Sequence, residues 1–182
     1  SDANQVISKI SNNSDDSYNT HPSRNKRLKA VLMGYNKSNT KLYTNSSPKD
    51  KYLYDAFDYY KRGDFLNSIS LAKLSIKIDG ESSVKYSFLG LCYYKLASEI
   101  KPSGDWYTKN EIEKLDSYYS SSYNFYTNAL NIEESKEDYY TRALVLIGLE
   151  GLNSINACKD AQKAYSLGHR KASKFLETYK CN

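Results

Sequence analysis

A short aromatic motif that returns at a fixed interval constrains this chain most. Tyr-Tyr-Lys stands at 59–61 and again, 34 residues later, at 93–95, and the small residue Ala56 returns as Gly90. Each copy lies in a run whose apolar residues have helical spacing, and Gly63 separates the first run from a second. Two helices joined at a glycine form an αα-hairpin. A hairpin that recurs every 34 residues predicts an all-α chain of stacked helix pairs.

The residues around both motifs resemble the tetratricopeptide repeat family. The positions at which that family has Trp-x2-Leu-Gly-x2-Tyr hold, in the second copy, Tyr86, Leu89, Gly90 and Tyr93. The matching positions of the first copy hold Tyr52, Ala56, Tyr59, Gly63 and Phe65. The resemblance covers residues 49–181 and implies a right-handed α-solenoid of about three helix pairs plus a C-terminal capping helix. It also implies a concave groove that holds a peptide or protein segment.

A third copy of the hairpin is more divergent. Gly151 follows Gly63 by 88 residues, which is two periods plus 20 inserted residues, and Ser135 with Asp138 reads as a capping box. The stretch 164–172 resembles the Sel1-like variant of the family. A last helix over about Arg170–Lys180 should cap the stack, with His169 as its capping residue.

The inserted residues lie in the second hairpin, near 98–117. They include a turn signal at 101–104 and the only tryptophan, Trp106. Thr108 with Glu111 reads as a capping box, so a lengthened helix should begin near Lys109. Trp106 is a candidate partner-binding residue. We favour its folding back onto the lengthened helix as an anchor, and the alternative is an exposed binding hot spot.

The repeated motif supplies the other candidate binding residues. Tyr60 and Tyr94 should line the concave face, with Lys61 and Lys95 at its edge, because helical spacing turns each of these tyrosines away from its predecessor. The predecessors, Tyr59 and Tyr93, should pack inside. In the alternative interpretation all four tyrosines belong to the core. The Lys and Asn clamp of one tetratricopeptide subgroup is not carried over, since Leu53 and Phe57 stand at those positions.

The N-terminal residues differ in composition from the rest. Residues 1–47 are rich in Asn, Ser and Thr, and we interpret them as a basic arm, either a solvated linker or a peptide for an acidic partner. Ser47 and Pro48 should cap the first helix of the repeat domain, residues 48–182. Residues 1–48 hold seven Lys or Arg and three Asp or Glu, whereas 49–182 hold 19 and 18. A nearly neutral body predicts no nucleic-acid partner.

No set of residues predicts chemistry. The two histidines, His21 and His169, have no partners at metal-ligand spacing, and Cys92 is expected to be a buried structural thiol. No glycine-rich phosphate loop is evident. We therefore expect no enzyme, no cofactor and no metal, and we keep an enzyme of unfamiliar design as a remote alternative. No apolar run is long enough to span a membrane, and an anchor lipid upstream stays open.

Two further cysteines bear on the location of the protein. Cys158 and Cys181 fall on helices predicted to face each other, so they form either a disulfide or two separate thiols. A disulfide would place the chain outside the cytosol, in the periplasm or at the cell surface, and separate thiols would fit a cytoplasmic protein. The chain resembles secreted or periplasmic bacterial repeat proteins. We predict a protein-interaction scaffold; the alternative is an inhibitor or immunity-type protein that binds one partner through the insertion and one face.

Overall fold

The computed structural model describes residues 50–181, and over these residues it is built of α-helices without any strand. The helices are α1 (Lys51–Lys61), α2 (Phe65–Asp79), α3 (Ser83–Glu99), α4 (Lys109–Ile132), α5 (Lys136–Glu150), α6 (Ile155–Ser166) and α7 (Ala172–Thr178). The predicted all-α class is confirmed. The arm at 1–47 lies outside the described residues, and so does Pro48. None of the described helices is both long and apolar enough to cross a membrane.

Side-chain caps define where most helices begin. The caps whose side-chain oxygen accepts a backbone N–H three residues later are Asp64, Ser82, Thr108, Ser135 and Ser154. The capping box of Thr108 and Glu111 is complete, as predicted. At Ser135 the hydroxyl accepts the Asp138 N–H at 3.2 Å, as the predicted box requires, and the Asp138 carboxylate accepts a hydrogen bond of 2.5 Å from the Ser87 hydroxyl.

The last helix differs from its prediction. The N-cap of α1 is Asp50, and the predicted cap Ser47 lies outside the described residues. The predicted C-terminal helix is shorter, because α7 has seven residues and its N-cap is Lys171. His169 is therefore not a cap, and its ring stacks on Tyr140 with 4.1 Å between centroids. The imidazole predicted to cap the last helix thus packs on a tyrosine ring instead.

Four glycines with positive φ angles lie in the connections at both ends of the described region. Gly63 and Gly151 have φ angles of +78° and +85°, and they lie in the α1–α2 and α5–α6 connections. Gly80 and Gly168, also 88 residues apart, have φ angles of +84° and +82° beyond α2 and α6. Glycine adopts this left-handed conformation without the clash that a Cβ would cause. Within each pair, however, the turns differ: Gly63 and Gly168 follow the C-cap of the preceding helix, whereas Gly80 and Gly151 are themselves C-caps.

Each helix packs against the next one along the chain, and α3 also contacts α5. The α3–α4 contact is close because Gly90 has no side chain: the ring of Tyr126 lies where a Cβ would be, and the Ser122 hydroxyl donates to the Gly90 carbonyl at 2.7 Å. The large side chains buried between the helices include Leu53, Phe57, Phe65, Ile69, Phe88, Leu89, Tyr126, Val145, Leu146 and Phe175.

Two charged side chains inside the fold, those of Arg142 and Lys85, are held by hydrogen bonds to neighbouring helices. The Arg142 guanidinium on α5 donates to both carboxylate oxygens of Asp160 on α6, at 2.7 and 2.8 Å, and to the Thr127 hydroxyl at 3.1 Å. The ammonium of Lys85 donates to the carbonyls of Ser75 and Gly80 at 3.2 and 2.8 Å. A cation at the C-terminal end of α2 is favourable because the helix dipole is negative there. Both groups join neighbouring helices.

Candidate partner-binding surface

The repeated tyrosines of the sequence motif are partly exposed, and each packs on another ring. The Tyr60 ring lies 5.2 Å from that of Phe65 and 5.7 Å from that of Phe88, between centroids. Burial, and then the nearby Cys92 thiol, raises the pKa of Tyr60 to about 12. The Tyr94 ring lies 6.3 Å from that of Tyr119 on α4. Tyr60 is thus partly a core residue, whereas Tyr94 packs toward the helix that carries the insertion.

Tyr94 belongs to a group of phenols, here called the tyrosine cluster: Tyr94, Tyr119, Tyr140 and Tyr179. Burial raises the pKa of Tyr94, and the phenols of the other three raise that pKa further. The Tyr119 ring packs on Tyr94, and the rings of Tyr140 and Tyr179 both pack on Phe175. They come from α3, α4, α5 and the residue that follows α7. All four are partly exposed. Partly exposed phenols can both donate and accept hydrogen bonds and still offer a ring face, which suits a peptide backbone.

A buried phenylalanine supports one side of the tyrosine cluster. The Phe175 ring lies 4.4 Å from the ring of Tyr179 and 6.1 Å from that of Tyr140. Tyr119 is supported by a glycine, because its ring lies 2.7 Å from where a Cβ would be at position 148. Through these contacts the cluster packs against α5 and α7. The sequence motif pointed only to Tyr94, and the other three members had no repeat to mark them.

The tyrosine cluster continues toward the insertion. Burial raises the pKa of Tyr119, and the Tyr107 phenol of the loop raises it further. Tyr107 is 43% exposed, and the preceding Trp106 is 86% exposed. The favoured interpretation, in which Trp106 folds back and packs on the lengthened helix, is therefore wrong, because the indole does not cover that helix. The predicted groove residue Tyr94 and the loop are linked through Tyr119 and Tyr107.

The loop that carries Trp106 is closed by one side chain. The carboxylate of Glu111 accepts a hydrogen bond from the Ser103 N–H at 3.2 Å and another from the Thr108 N–H at 2.7 Å. The Thr108 hydroxyl in turn accepts the Glu111 N–H at 3.3 Å. The backbone N–H of Thr108 is the main cause that lowers the pKa of Glu111, and the bonds from Ser103 add to it. The capping box was predictable, but the bond to Ser103 was not.

The two predicted lysines flank the tyrosines of the motif. Lys61 is exposed in the last turn of α1, and Lys95 is partly exposed on α3. Their place at the edge of a binding groove stays a prediction.

A second aromatic group lies beside the motif, around Tyr93, which was predicted to pack inside but is partly exposed. The Tyr93 ring stacks on Phe125 of α4 at 5.5 Å, and the Lys73 ammonium of α2 donates to the Tyr93 hydroxyl at 3.0 Å. The same ammonium lies 5.5 Å from the Tyr93 ring centroid, within the range of a cation–π contact. Tyr93 thus joins α2, α3 and α4, whereas its neighbour Tyr94 packs on Tyr119.

The cysteines are structural groups in this fold. Burial raises the pKa of Cys92 to about 12, and its Sγ lies 3.4 Å from the Ser68 hydroxyl, so its thiol is protonated at neutral pH. Cys158 and Cys181 are joined in a disulfide with 5.3 Å between their Cα atoms. Within residues 50–181 no three His, Cys, Asp or Glu side chains are placed to hold a metal ion.

The described surface presents aromatic rings and phenol hydroxyls. Partly exposed phenols, an exposed indole and a pinned loop are available, whereas the thiol is buried and protonated. Comparison of the chain with protein-family models, with curated proteins and with solved structures finds no match.

Proposed function

We propose that this chain is a non-catalytic protein-interaction module, a right-handed stack of tetratricopeptide-like helix pairs that binds a peptide or protein segment in a concave groove. The observation that carries the proposal is the tyrosine cluster, in which the partly exposed Tyr94 packs on Tyr119, while Tyr140 and Tyr179 pack on a shared phenylalanine. The positive-φ glycines at a spacing of 88 residues and the packing of each helix on the next support the repeat arrangement. Tyr60 and Lys61 of the first motif, and Lys95 of the second, would extend the groove.

Tyrosine suits such a role for physical reasons. Its ring supplies a large contact area with only two side-chain torsions to order, so binding sacrifices little entropy. Its hydroxyl serves as donor or acceptor for the main chain of a bound segment. The near balance of charges in residues 49–182 fits a protein ligand better than a nucleic acid. The proposal involves no cofactor and no metal.

The proposed location is extracytoplasmic, in the periplasm or at the cell surface. The disulfide between Cys158 and Cys181 supports it, because such bonds persist mainly in oxidising compartments.

The test compares partner recovery by wild-type protein and by variants of one cluster residue. Tyr94→Ala removes ring and hydroxyl, and Tyr94→Phe removes the hydroxyl alone. Tyr165→Ala is the matched control, since Tyr165 is 57% exposed on α6. Proteins captured from the native source should be recovered equally by wild type and Tyr165→Ala, and at least about tenfold less by Tyr94→Ala, as expected for loss of a hot spot. Undiminished recovery by a folded Tyr94→Ala protein would refute the groove.

A second candidate function is favoured by the exposure of Trp106. An inhibitor or immunity-type protein would neutralise one specific partner through the inserted loop and one face. In that case Trp106→Ala should abolish recovery of the partner while Tyr94→Ala leaves recovery unchanged. The reverse pattern selects the groove.

A further inference from the structure

We propose that residues 100–108 form a preshaped anchor whose Trp106 inserts into an apolar pocket on a folded protein partner, and that Glu111 is the positioning residue that holds the anchor. The inference rests on the proposed function in its general form, that the chain binds a protein. It adds the anchoring residue, the device that positions it, and the kind of pocket it fits.

The connection between α3 and α4 is longer than the fold needs. It spans nine residues, whereas the other connections between α1 and α7 span three to five. Helix–helix connections of two to eight residues, roughly, are the norm in helical domains. The extra length adds no core residue, because every side chain from Lys101 to Asn110 is exposed. The insertion thus serves something other than joining two helices.

The loop is nevertheless held in one shape. The two Glu111 oxygens accept from Ser103 and from Thr108, which lie on either side of Trp106. Glu111 itself belongs to the first turn of α4, a helix of 24 residues, and is fixed there by the capping box. A loop that is ordered before binding loses less entropy when it binds. An ordered loop that exposes an indole has the design of a binding anchor.

The charges around the loop indicate the class of partner. Between 100 and 114 the sequence has three lysines and three carboxylates, so this surface has no net charge. The pair of Lys109 and Glu113, at 3.9 Å, illustrates the mixing of signs. Binding to anionic lipid or to a phosphate backbone requires an excess of positive charge. A neutral surface with a protruding indole fits an uncharged apolar pocket on a protein.

The anchor and the tyrosine cluster face the same neighbourhood. Tyr107 follows Trp106 and acts electrostatically on Tyr119, whose pKa it raises, and the Tyr119 ring packs on that of Tyr94. A partner whose pocket takes Trp106 therefore reaches the tyrosine cluster as well. The insertion and the groove are parts of one interaction surface, and need not be alternatives.

Site-specific photo-crosslinking in the native host tests the proposal. A benzophenone amino acid replaces Tyr107, beside the intact Trp106, and in a control strain it replaces Tyr165 on α6, which is also exposed. We expect a discrete adduct with another protein at position 107 that is missing at 165. Adding Trp106→Ala should reduce the adduct at least tenfold.

A pair of charge-matched variants isolates the role of Glu111. Glu111→Gln has one acceptor oxygen and can keep the cap bond from Thr108, but it cannot also hold Ser103. Glu113→Gln removes the same charge from the same helix without touching the loop. Glu111→Gln should speed hydrogen exchange at the Ser103 amide and reduce the adduct several-fold with an unchanged unfolding midpoint. Glu113→Gln should change none of these.

Each contrary result has a definite meaning. A lipid adduct, a self-adduct, or no protein adduct beyond that at 165 overturns the anchor. An equal adduct yield in Glu111→Gln and Glu113→Gln overturns the positioning role of Glu111. If the benzophenone captures a protein from position 94 but not from 107, the groove function stands and the anchor fails. If it captures none from either position, both proposals fail.

Discussion

Replacing Gly90 by alanine tests how α3 and α4 are held together. A Cβ at position 90 would lie 2.8 Å from Cδ2 and Cε2 of Tyr126 and 3.0 Å from its Cγ. These atoms include the inner end of the ring, and Tyr126 is fully buried, so the ring cannot turn out of the way. The helices must separate locally, which also strains the bond from Ser122 to the Gly90 carbonyl.

Two opposing effects determine the size of the change. Alanine in a helix interior is favoured over glycine by about 1 kcal/mol. Overpacking a core by one methyl group costs about 1–3 kcal/mol, and a rigid ring at this distance places Gly90→Ala at the upper end. We therefore expect a net fall of about 2 kcal/mol in the free energy of unfolding, which is the overpacking cost of about 3 kcal/mol less the helix-propensity gain of about 1 kcal/mol.

Gly148→Ala is the matched control for this change. Its Cβ would also meet a ring, that of Tyr119, with 2.7 Å to Cε2 and Cζ. These atoms are at the far end of a partly exposed side chain, so Tyr119 can swing outward. The expected net change is within about 1 kcal/mol, because propensity and displacement nearly cancel. Urea unfolding followed by circular dichroism measures both variants, and equal losses in the two would refute the packing argument.

Three other perturbations have definite expected outcomes. Arg142→Met should lower the free energy of unfolding by about 3–5 kcal/mol, because the Asp160 carboxylate, only 10% exposed, loses its bidentate partner. A loss below about 1 kcal/mol would contradict a buried pair. Replacing Cys158 and Cys181 by serine should cost about 3 kcal/mol for a 23-residue separation, measured in the same urea assay against the oxidised wild type. The Cys92 pKa of about 12 exceeds its ordinary 9.0, so the unfolded state ionises first and this thiol's contribution to stability is lost as pH rises from 9 toward 12. Cys92→Ala should flatten that part of the stability–pH curve, and rapid thiol labelling of native protein at neutral pH would refute the burial.

Local sequence signals were sufficient for some helix boundaries, but not for those of α7. The start of α4 depends on Thr108 and Glu111, which lie three positions apart, and the turn at Gly63 depends on one backbone conformation. Such features involve only neighbours along the chain, so the spacing of residue types identifies them. At Ser135 and Asp138 the pair in the sequence gave no sign that the distant Ser87 hydroxyl would donate to the Asp138 carboxylate.

The candidate site was less predictable, since it depends on contacts between distant residues. The support of Tyr119 comes from a glycine on another helix, and the repeat period gives no sign of it. The exposure of Trp106 depends on whether any apolar surface lies within its reach, which requires the packed helices. Tyr94 was identifiable because it repeats. Its partners in the tyrosine cluster do not repeat, so only the fold could reveal them.

The disulfide has a mechanical consequence for the end of the chain. Tension applied beyond Cys181 passes through the sulfur–sulfur bond into Cys158 on α6, so α7 and its connection form a closed loop outside the path of the load. Stretching would open the contacts of α5 and α6 while α7 bore no force. The residues between the two cysteines, separated by 23 positions, store about 80 Å of contour length at roughly 3.5 Å per residue. A reductant added to a stretched molecule would release that length in one step.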